Sequence, residues 1–196
     1  MTDKLKALCD KAGKLNLHGL SRELTQRQIE VHPDDYRLLL DLVTHELTFC
    51  RYQEAQAAID HAEHVCPPKA MKWVLALRGH LSEGLGDFEA AIRHHLAAHE
   101  LDPDEATFLI FAGSVAFKAG DTDRAIELAT RATQCPKGCI DEAYYNLGGY
   151  LLAMRRYSEA RDCYDRALEI DPTYAITRTR LEDVLRILAL ETDSHD

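Results

Sequence analysis

The amino-acid sequence predicts an all-α fold built from successive pairs of antiparallel helices. Aromatic, Leu-Gly, Ala and Pro residues recur together at intervals of about 34 residues, the length of one helical hairpin repeat. Within each interval, apolar residues return at the three- and four-residue spacing of a helix. Gly86-Asp87 and Gly120-Asp121 lie midway, where a glycine would end one helix and an aspartate would begin the next.

The stretch from Asp141 to Pro172 carries the pattern most completely. Its glycine, Gly148, would let a second helix approach closely, which offsets the cost of about 1 kcal/mol that glycine has relative to alanine inside a helix. Small residues on the second helix would face it, while large residues fill the gaps beside the crossing. The repeated places hold Tyr144, Leu147, Gly148, Leu151, Ala160, Tyr164, Ala167 and Pro172.

This pattern resembles the tetratricopeptide repeat (TPR). The resemblance implies a single domain over residues 1–196, folded as a right-handed superhelical solenoid of antiparallel helix pairs with a C-terminal capping helix. The first unit is divergent, because Cys9 replaces the glycine and Ser21 and Gln28 replace the two alanines. The predicted units are residues 2–35, 36–71, 72–105, 106–140 and 141–174, and the capping helix is residues 175–190.

Apolar faces are predicted at both ends of this array. The second helix of the first unit is expected to rest on Leu17, Leu20 and Leu24. The capping helix is expected to cover the fifth unit with a stripe at helical spacing. That stripe consists of Leu181, Val184, Leu185 and Leu188.

The composition argues against nucleic acid and membrane partners. A formal charge of -10 disfavours a phosphate backbone, whose binding depends on clustered Lys and Arg. The amino terminus lacks the apolar core of a signal peptide, and no apolar run approaches the roughly 20 residues that span a bilayer. We therefore expect a cytoplasmic protein. Its six cysteines are expected to be reduced thiols, most of them small core residues.

The TPR resemblance also implies where a ligand would bind. In TPR proteins the first helices of successive units line a concave groove, and the corresponding places here are unusually apolar. Trp73, the only tryptophan, is expected to be partly open to solvent in this groove. The predicted ligand-groove residues are Arg37, Leu40, Thr44, Leu47, Trp73, His80, Ile110, Ser114, Phe117, Tyr145 and Leu152.

One known use of TPR domains, the carboxylate clamp for the acidic tails of Hsp70 and Hsp90 chaperones, is not expected. The clamp needs Lys and Asn, then Asn, then Lys and Arg, on three consecutive first helices. Neither of two sets of corresponding places meets this requirement. They hold Leu40, Thr44, Leu77, Thr107 and Phe111 in one set, and Ala76, His80, Phe111, Glu142 and Asn146 in the other.

The predicted function is therefore a protein-protein interaction module, acting as a scaffold or adaptor that binds a peptide or helical segment of a partner in a partly apolar groove. Two alternatives stay open at this point. Several groove residues could belong to the core instead, or the same surface could hold a second copy of the chain and form a homo-oligomeric scaffold.

The histidines suggest a third alternative, a metal-binding regulator. His61 and His64 lie three residues apart and His95 and His99 four apart, spacings that place each pair on one helix face. A zinc site usually needs a third ligand, and Cys66 is the obvious addition. The spacing of Cys135 and Cys139 is weak evidence without a second pair. We therefore expect solvated histidines and no metal ligands.

No motif of a catalytic site is present in the sequence. It contains no Gly-rich phosphate loop, no nucleophile elbow and no HExxH zinc motif. The sequence thus predicts a protein that is not an enzyme, with no catalytic residue and no cofactor.

Overall fold

The computed structural model describes residues 11–12 and 17–193, and from His18 onward these residues form ten α-helices and no β-strand. The predicted all-α helical-repeat fold is confirmed. A short 3-10 turn, Pro68–Ala70, precedes the fourth helix. The helices are α1 (His18–Val31), α2 (Tyr36–Thr48), α3 (Tyr52–Val65), α4 (Met71–Gly84), α5 (Phe88–Leu101), α6 (Thr107–Lys118), α7 (Thr122–Ala132), α8 (Ile140–Ala153), α9 (Tyr157–Ile170) and α10 (Ala175–Asp193).

The chain divides between Leu101 and Asp102 into two compact units. In the first unit, α2 packs against α3 and α4 against α5, while α1 and α4 flank the α2–α3 hairpin. The apolar stripes of these helices meet in one core because each helix presents one apolar face. That core contains Leu39, Val43, Ala55, Ala58, Ile59, Ala62, Val74 and Leu81.

Helix α1 packs through a more polar face than the sequence predicts. Leu24 is buried as expected, but Leu17 and Leu20 are 47% and 46% exposed, so they do not support the helix. Ser21 and Gln28, which stand at the alanine places of the repeat, are buried together with Thr25. The prediction assumed that the leucine side chains would face the core, whereas the helix buries small and amide side chains on that face. Cys9 lies outside the described residues.

In the second unit, α6 pairs with α7 and α8 with α9, and α10 covers α9. Val184 of α10 is fully buried, but Leu185 is 47% exposed, so this part of the predicted stripe is wrong. Neighbouring residues of a helix point about 100° apart, and the face toward α9 passes through Thr177 and Val184, both fully buried. Leu185 therefore points away from that face.

The predicted Gly-Asp hairpin turns are confirmed. Gly86 and Gly120 have φ angles of +82° and +87°, the left-handed conformation that glycine adopts without strain. The aspartates that follow cap the next helices: Asp87 accepts a hydrogen bond from the Ala90 amide (2.9 Å), and Asp121 one from the Arg124 amide (3.1 Å).

The α2–α3 and α8–α9 hairpins have neither a glycine nor a capping aspartate at the turn. Cys50 and Arg155 hold the left-handed conformation, with φ angles of +55° and +59°. Arg51 and Arg156 stand before α3 and α9, and neither side chain makes a capping hydrogen bond. Side chains other than glycine occupy this region at a cost. These two turns thus carry a backbone cost that the Gly-Asp turns avoid.

Each glycine at a helix crossing faces a different residue on the second helix. A Cβ placed on Gly79 would lie 2.6 Å from Nε2 of His95, and one on Gly148 would lie 2.7 Å from Cε1 of Tyr164. At Gly113 the nearest atom would be the Ala125 carbonyl oxygen at 3.5 Å, an ordinary contact. The first two glycines are therefore required by the rings packed on them.

The expectation that His95 is a solvated residue is wrong. Its side chain is fully buried between α4 and α5, where it takes the place that Tyr164 has in α9. Burial first, and then the nearby His80, lower the pKa of His95 to about 3. The imidazole is therefore neutral near pH 7.

The cysteines also differ from expectation. All five cysteines of the described residues are free thiols, and each is exposed or half-buried, so the prediction that most are core residues is wrong for these five. Burial nevertheless raises the pKa of the most enclosed thiol, Cys163, to about 11. Among the described residues, no helix has the length and apolarity needed to cross a membrane.

Candidate peptide-binding cleft

A cleft of about 470 Å³ opens in the second unit, between helices α6 and α8. These two helices contribute most of the lining, and Tyr164 of α9 and Arg180 of α10 complete it. Hereafter it is called the α6–α8 cleft. Its lining consists of Ser114, Phe117, Lys118, Tyr145, Asn146, Gly149, Tyr150, Leu152, Ala153, Tyr164 and Arg180.

Aromatic rings form much of this lining and hold one another in place. The Phe117 and Tyr150 rings lie 4.8 Å apart between centroids, and the Tyr145 ring lies 5.3 Å from that of Tyr174. The hydroxyl groups of Ser114 and Tyr150 are 3.3 Å apart and share a hydrogen bond. Burial raises the pKa of Tyr150, so its hydroxyl stays protonated near neutral pH.

Two consecutive glycines of α8, Gly148 and Gly149, have different surroundings beside the cleft. Gly148 lies under the Tyr164 ring and permits the close crossing of α8 and α9. Gly149 lines the cleft, and a Cβ there would come no nearer than 3.9 Å to the Tyr164 hydroxyl. A methyl group at Gly149 would therefore make only an ordinary contact, in contrast to one at Gly148.

The charge of the cleft is opposite to that of the chain. Lys118 and Arg180 supply two positive charges and Asn146 an amide, whereas no Asp or Glu occurs in the described lining. The whole chain carries a formal charge of -10. Such a local cationic surface next to aromatic rings favours a ligand with apolar groups and a carboxylate.

Four of the predicted groove residues meet in this cleft: Ser114, Phe117, Tyr145 and Leu152. Phe117 is 39% exposed and offers its ring to solvent. Ile110 is only 4% exposed, so the prediction that it faces a ligand is wrong. The buried residues of α6 cover more than half of its circumference, and Ile110 lies at one edge of that buried arc.

The remaining predicted groove residues belong to the first unit, and their exposure varies. Arg37 and Thr44 are exposed, and Trp73 is 41% exposed with the Lys72 ammonium 5.4 Å from its ring centroid. Leu40 and Leu47 are half-buried against the core of the first unit, so part of their surface is core surface. His80 is half-buried, and its ring centroid lies 4.9 Å from that of His95.

The two cationic residues of the cleft were not among the predicted groove residues. Lys118 is the last residue of α6, and Arg180 lies on the capping helix α10. Both sit outside the places that a single repeat predicts. A positively charged residue at the end of a first helix, within a strongly acidic chain, was the available signal for Lys118.

Comparisons with known proteins agree with this fold. Family models described as tetratricopeptide repeat match residues 75–138 and residues 141–174. Among solved structures, a thermophilic TPR protein of Thermus thermophilus has a TM-score of 0.70 at 20% identity, over 94% of this chain and 99% of that one. YrrB, described as a TPR protein with an unusual peptide-binding site, has a TM-score of 0.57 at 16% identity, over 89% and 88%.

A curated relative is similar over part of the chain. It is the small glutamine-rich tetratricopeptide repeat-containing protein 2 of Mycosarcoma maydis, 30% identical over 108 residues, which cover 55% of this chain and 30% of the relative. This chain thus matches less than a third of that protein's length. The two family matches lie in separate parts of the chain and together span half of it, and the chain belongs to the tetratricopeptide repeat family.

Proposed function

We propose that this chain is a non-enzymatic interaction module that binds a segment of a partner protein in the α6–α8 cleft. TPR domains in general mediate protein-protein interactions and bind peptides. The observation that carries the proposal is the juxtaposition of exposed aromatic surface with Lys118 and Arg180 in an otherwise acidic chain.

The proposed occupant is a segment with an apolar or aromatic side chain followed by a carboxylate, either an acidic side chain or a chain terminus. The apolar group would pack on Phe117 and Tyr145, which expose ring surface to the cleft. The carboxylate would accept hydrogen bonds from Lys118 and Arg180, with the Asn146 amide as a third donor. The paired contacts would fix the direction of the bound segment.

Peptides selected from a random displayed library against the full chain test this proposal. We expect the selected peptides to carry the apolar-acidic pattern. Lys118→Ala combined with Arg180→Ala should weaken their binding at least tenfold, because charged hydrogen bonds in a cleft contribute about 1.5–3 kcal/mol each. Binding is measured by fluorescence anisotropy of labelled peptide. Arg166→Ala is the control, because Arg166 is an exposed cation of α9 paired with Glu169.

Unchanged affinity in the double variant would contradict the proposal. So would a tight dimer of the unliganded chain that Phe117→Glu dissociates, since the cleft would then hold a second copy. Trp73 fluorescence tests the longer groove predicted from the sequence: a peptide that reaches Trp73 should shield it from acrylamide. Because Trp73 is 41% exposed, Trp73→Ala should change folding stability little.

Three further predictions from the sequence accompany this proposal. A scaffold or adaptor role, a cytoplasmic location and the absence of an Hsp70 or Hsp90 tail clamp stay predictions from the sequence. A homodimer formed through the cleft would contradict the proposal.

A further inference from the structure

A second group of side chains in the first unit brings three potential metal ligands together. His80 and Glu83 lie one turn apart on α4, and His95 reaches them from α5. One ligand atom from each residue lies within 4.8 Å of the other two. Among the described residues this is the one such group of three, and none of its members lines the α6–α8 cleft.

One pair of these ligand atoms already has the spacing that a four-coordinate site requires. Nδ1 of His80 and Oε2 of Glu83 are 3.6 Å apart. Two ligands bonded at about 2.1 Å to a tetrahedral ion are separated by about 3.4 Å, so this pair already has suitable spacing. The third ligand needs a small closing movement, which the partly exposed side chains of His80 (34%) and Glu83 (20%) allow.

The ligand types select a class of metal. Two imidazoles and one carboxylate suit zinc and other late first-row divalent ions, whereas calcium and magnesium prefer oxygen ligands alone. Three protein ligands also leave a fourth position for water. The partly exposed His80 and Glu83 give an ion a path from solvent, while buried His95 forms the inner side of the site.

His95 is well prepared for this role. Its ring is packed against Gly79, which fixes its position. The corresponding ring of the α8–α9 hairpin, Tyr164, offers only a phenol hydroxyl.

We propose that His80, Glu83 and His95 form a binding site for a zinc-type divalent ion that joins α4 to α5. This inference goes beyond the peptide-binding role and does not depend on it. It departs from the expectation of no metal, which rested on histidine pairs within single helices. The group found here draws on two helices, and only the fold brings its members together.

The test uses the full chain without a histidine tag, stripped with a chelator and titrated with zinc by calorimetry. We expect one site that His80→Gln and Glu83→Gln each weaken at least tenfold. His94→Gln is the matched control, because His94 is half-buried and adjacent to His95 but outside the group. The absorption spectrum of the chain loaded with cobalt in place of zinc provides a second readout. Visible cobalt bands without a thiolate-to-cobalt charge-transfer band would exclude a site formed by cysteines.

A third variant separates loss of the site from loss of the fold. His95→Tyr places on Gly79 the kind of ring that Tyr164 places on Gly148, so the helix crossing should persist while the ligand nitrogen is lost. We expect normal helix content and no zinc site. Absence of zinc binding in the unmodified chain, or unchanged affinity in the His80, Glu83 and His95 variants, would overturn the proposal.

Discussion

The α4–α5 and α8–α9 hairpins share one packing arrangement but fill it with different rings. Each has a glycine on its first helix, and the same number of residues later a ring on its second helix covers that glycine. His95 covers Gly79 in one hairpin, and Tyr164 covers Gly148 in the other. The two rings are almost completely buried.

The same packing arrangement therefore shifts the pKa values of the two rings in opposite directions. Burial favours the neutral form of any titratable group, and this acts on a base and on an acid in opposite directions. It lowers the pKa of His95 to about 3 and raises the pKa of Tyr164 to about 12. The α4–α5 hairpin is therefore sensitive to acid and the α8–α9 hairpin to alkali.

The largest expected effect is this difference in pH dependence. For His95 the unfolded chain binds a proton below about pH 6.5, whereas the folded chain does not until about pH 3. Its contribution to stability is complete above pH 6.5 and is lost as the pH falls toward 3. Between pH 7 and pH 4, the free energy of unfolding should fall by about 3 kcal/mol more than in His95→Tyr.

Tyr164 gives the opposite sign. Its folded pKa lies above the ordinary value of 10, so its contribution is complete below pH 10 and is lost as the pH rises toward 12. Between pH 10 and pH 12, the free energy of unfolding of Tyr164→Phe should therefore fall by roughly 2 kcal/mol less than that of the unmodified chain.

Urea unfolding at a series of pH values, with a chelator present, measures both effects. The ionisable groups that face His95 are His80, Glu83 and His94, and all three are retained in His95→Tyr, so the difference between the two curves reports His95. Parallel acid curves for the unmodified chain and His95→Tyr would show that His95 does not control the acid response.

A smaller effect distinguishes the glycines themselves. Gly79→Ala and Gly148→Ala should each lower the free energy of unfolding by about 1–2 kcal/mol, because the new methyl group overlaps a buried ring and overpacking outweighs better helix propensity. Gly113→Ala should raise it by up to about 1 kcal/mol, since its methyl group would make only ordinary contacts. Urea midpoints at pH 7 measure all three changes. A stabilising Gly148→Ala would mean that Tyr164 moves aside without cost.

Much of the fold could be predicted because the repeat pattern contains residues that turns, helix caps and close helix crossings require. The glycine turns, the capping aspartates and the crossing at Gly148 each follow from a residue type with one strong preference. The burial of His95 could not be predicted in this way. Histidine is common on surfaces, and only the glycine facing it across the hairpin reveals that its ring replaces an aromatic one.

The candidate cleft was predictable in part for a related reason. Ser114, Phe117, Tyr145 and Leu152 occupy regular places of the repeat, so the register brings them together. Lys118 and Arg180 come from a helix end and from the helix after the last repeat. The prediction for Ile110 is wrong because this residue lies at the edge of the buried arc of α6, and the repeat register alone does not locate that edge.

The smallest expected effect concerns the turns of the same two hairpins. The α4–α5 hairpin turns at Gly86, whereas the α8–α9 hairpin turns at Arg155 in the same left-handed region. Arg155→Gly should raise the free energy of unfolding by about 0.5 kcal/mol, because relief of the strained backbone slightly exceeds the entropy that glycine adds to the unfolded chain. Gly86→Ala should lower it by about 1 kcal/mol for the converse reason. Urea unfolding at pH 7 measures both, and Gly19→Ala controls for the general effect of replacing glycine, because a Cβ there would contact nothing within 4 Å. A destabilising Arg155→Gly would mean that the arginine side chain contributes more to this turn than its backbone strain costs.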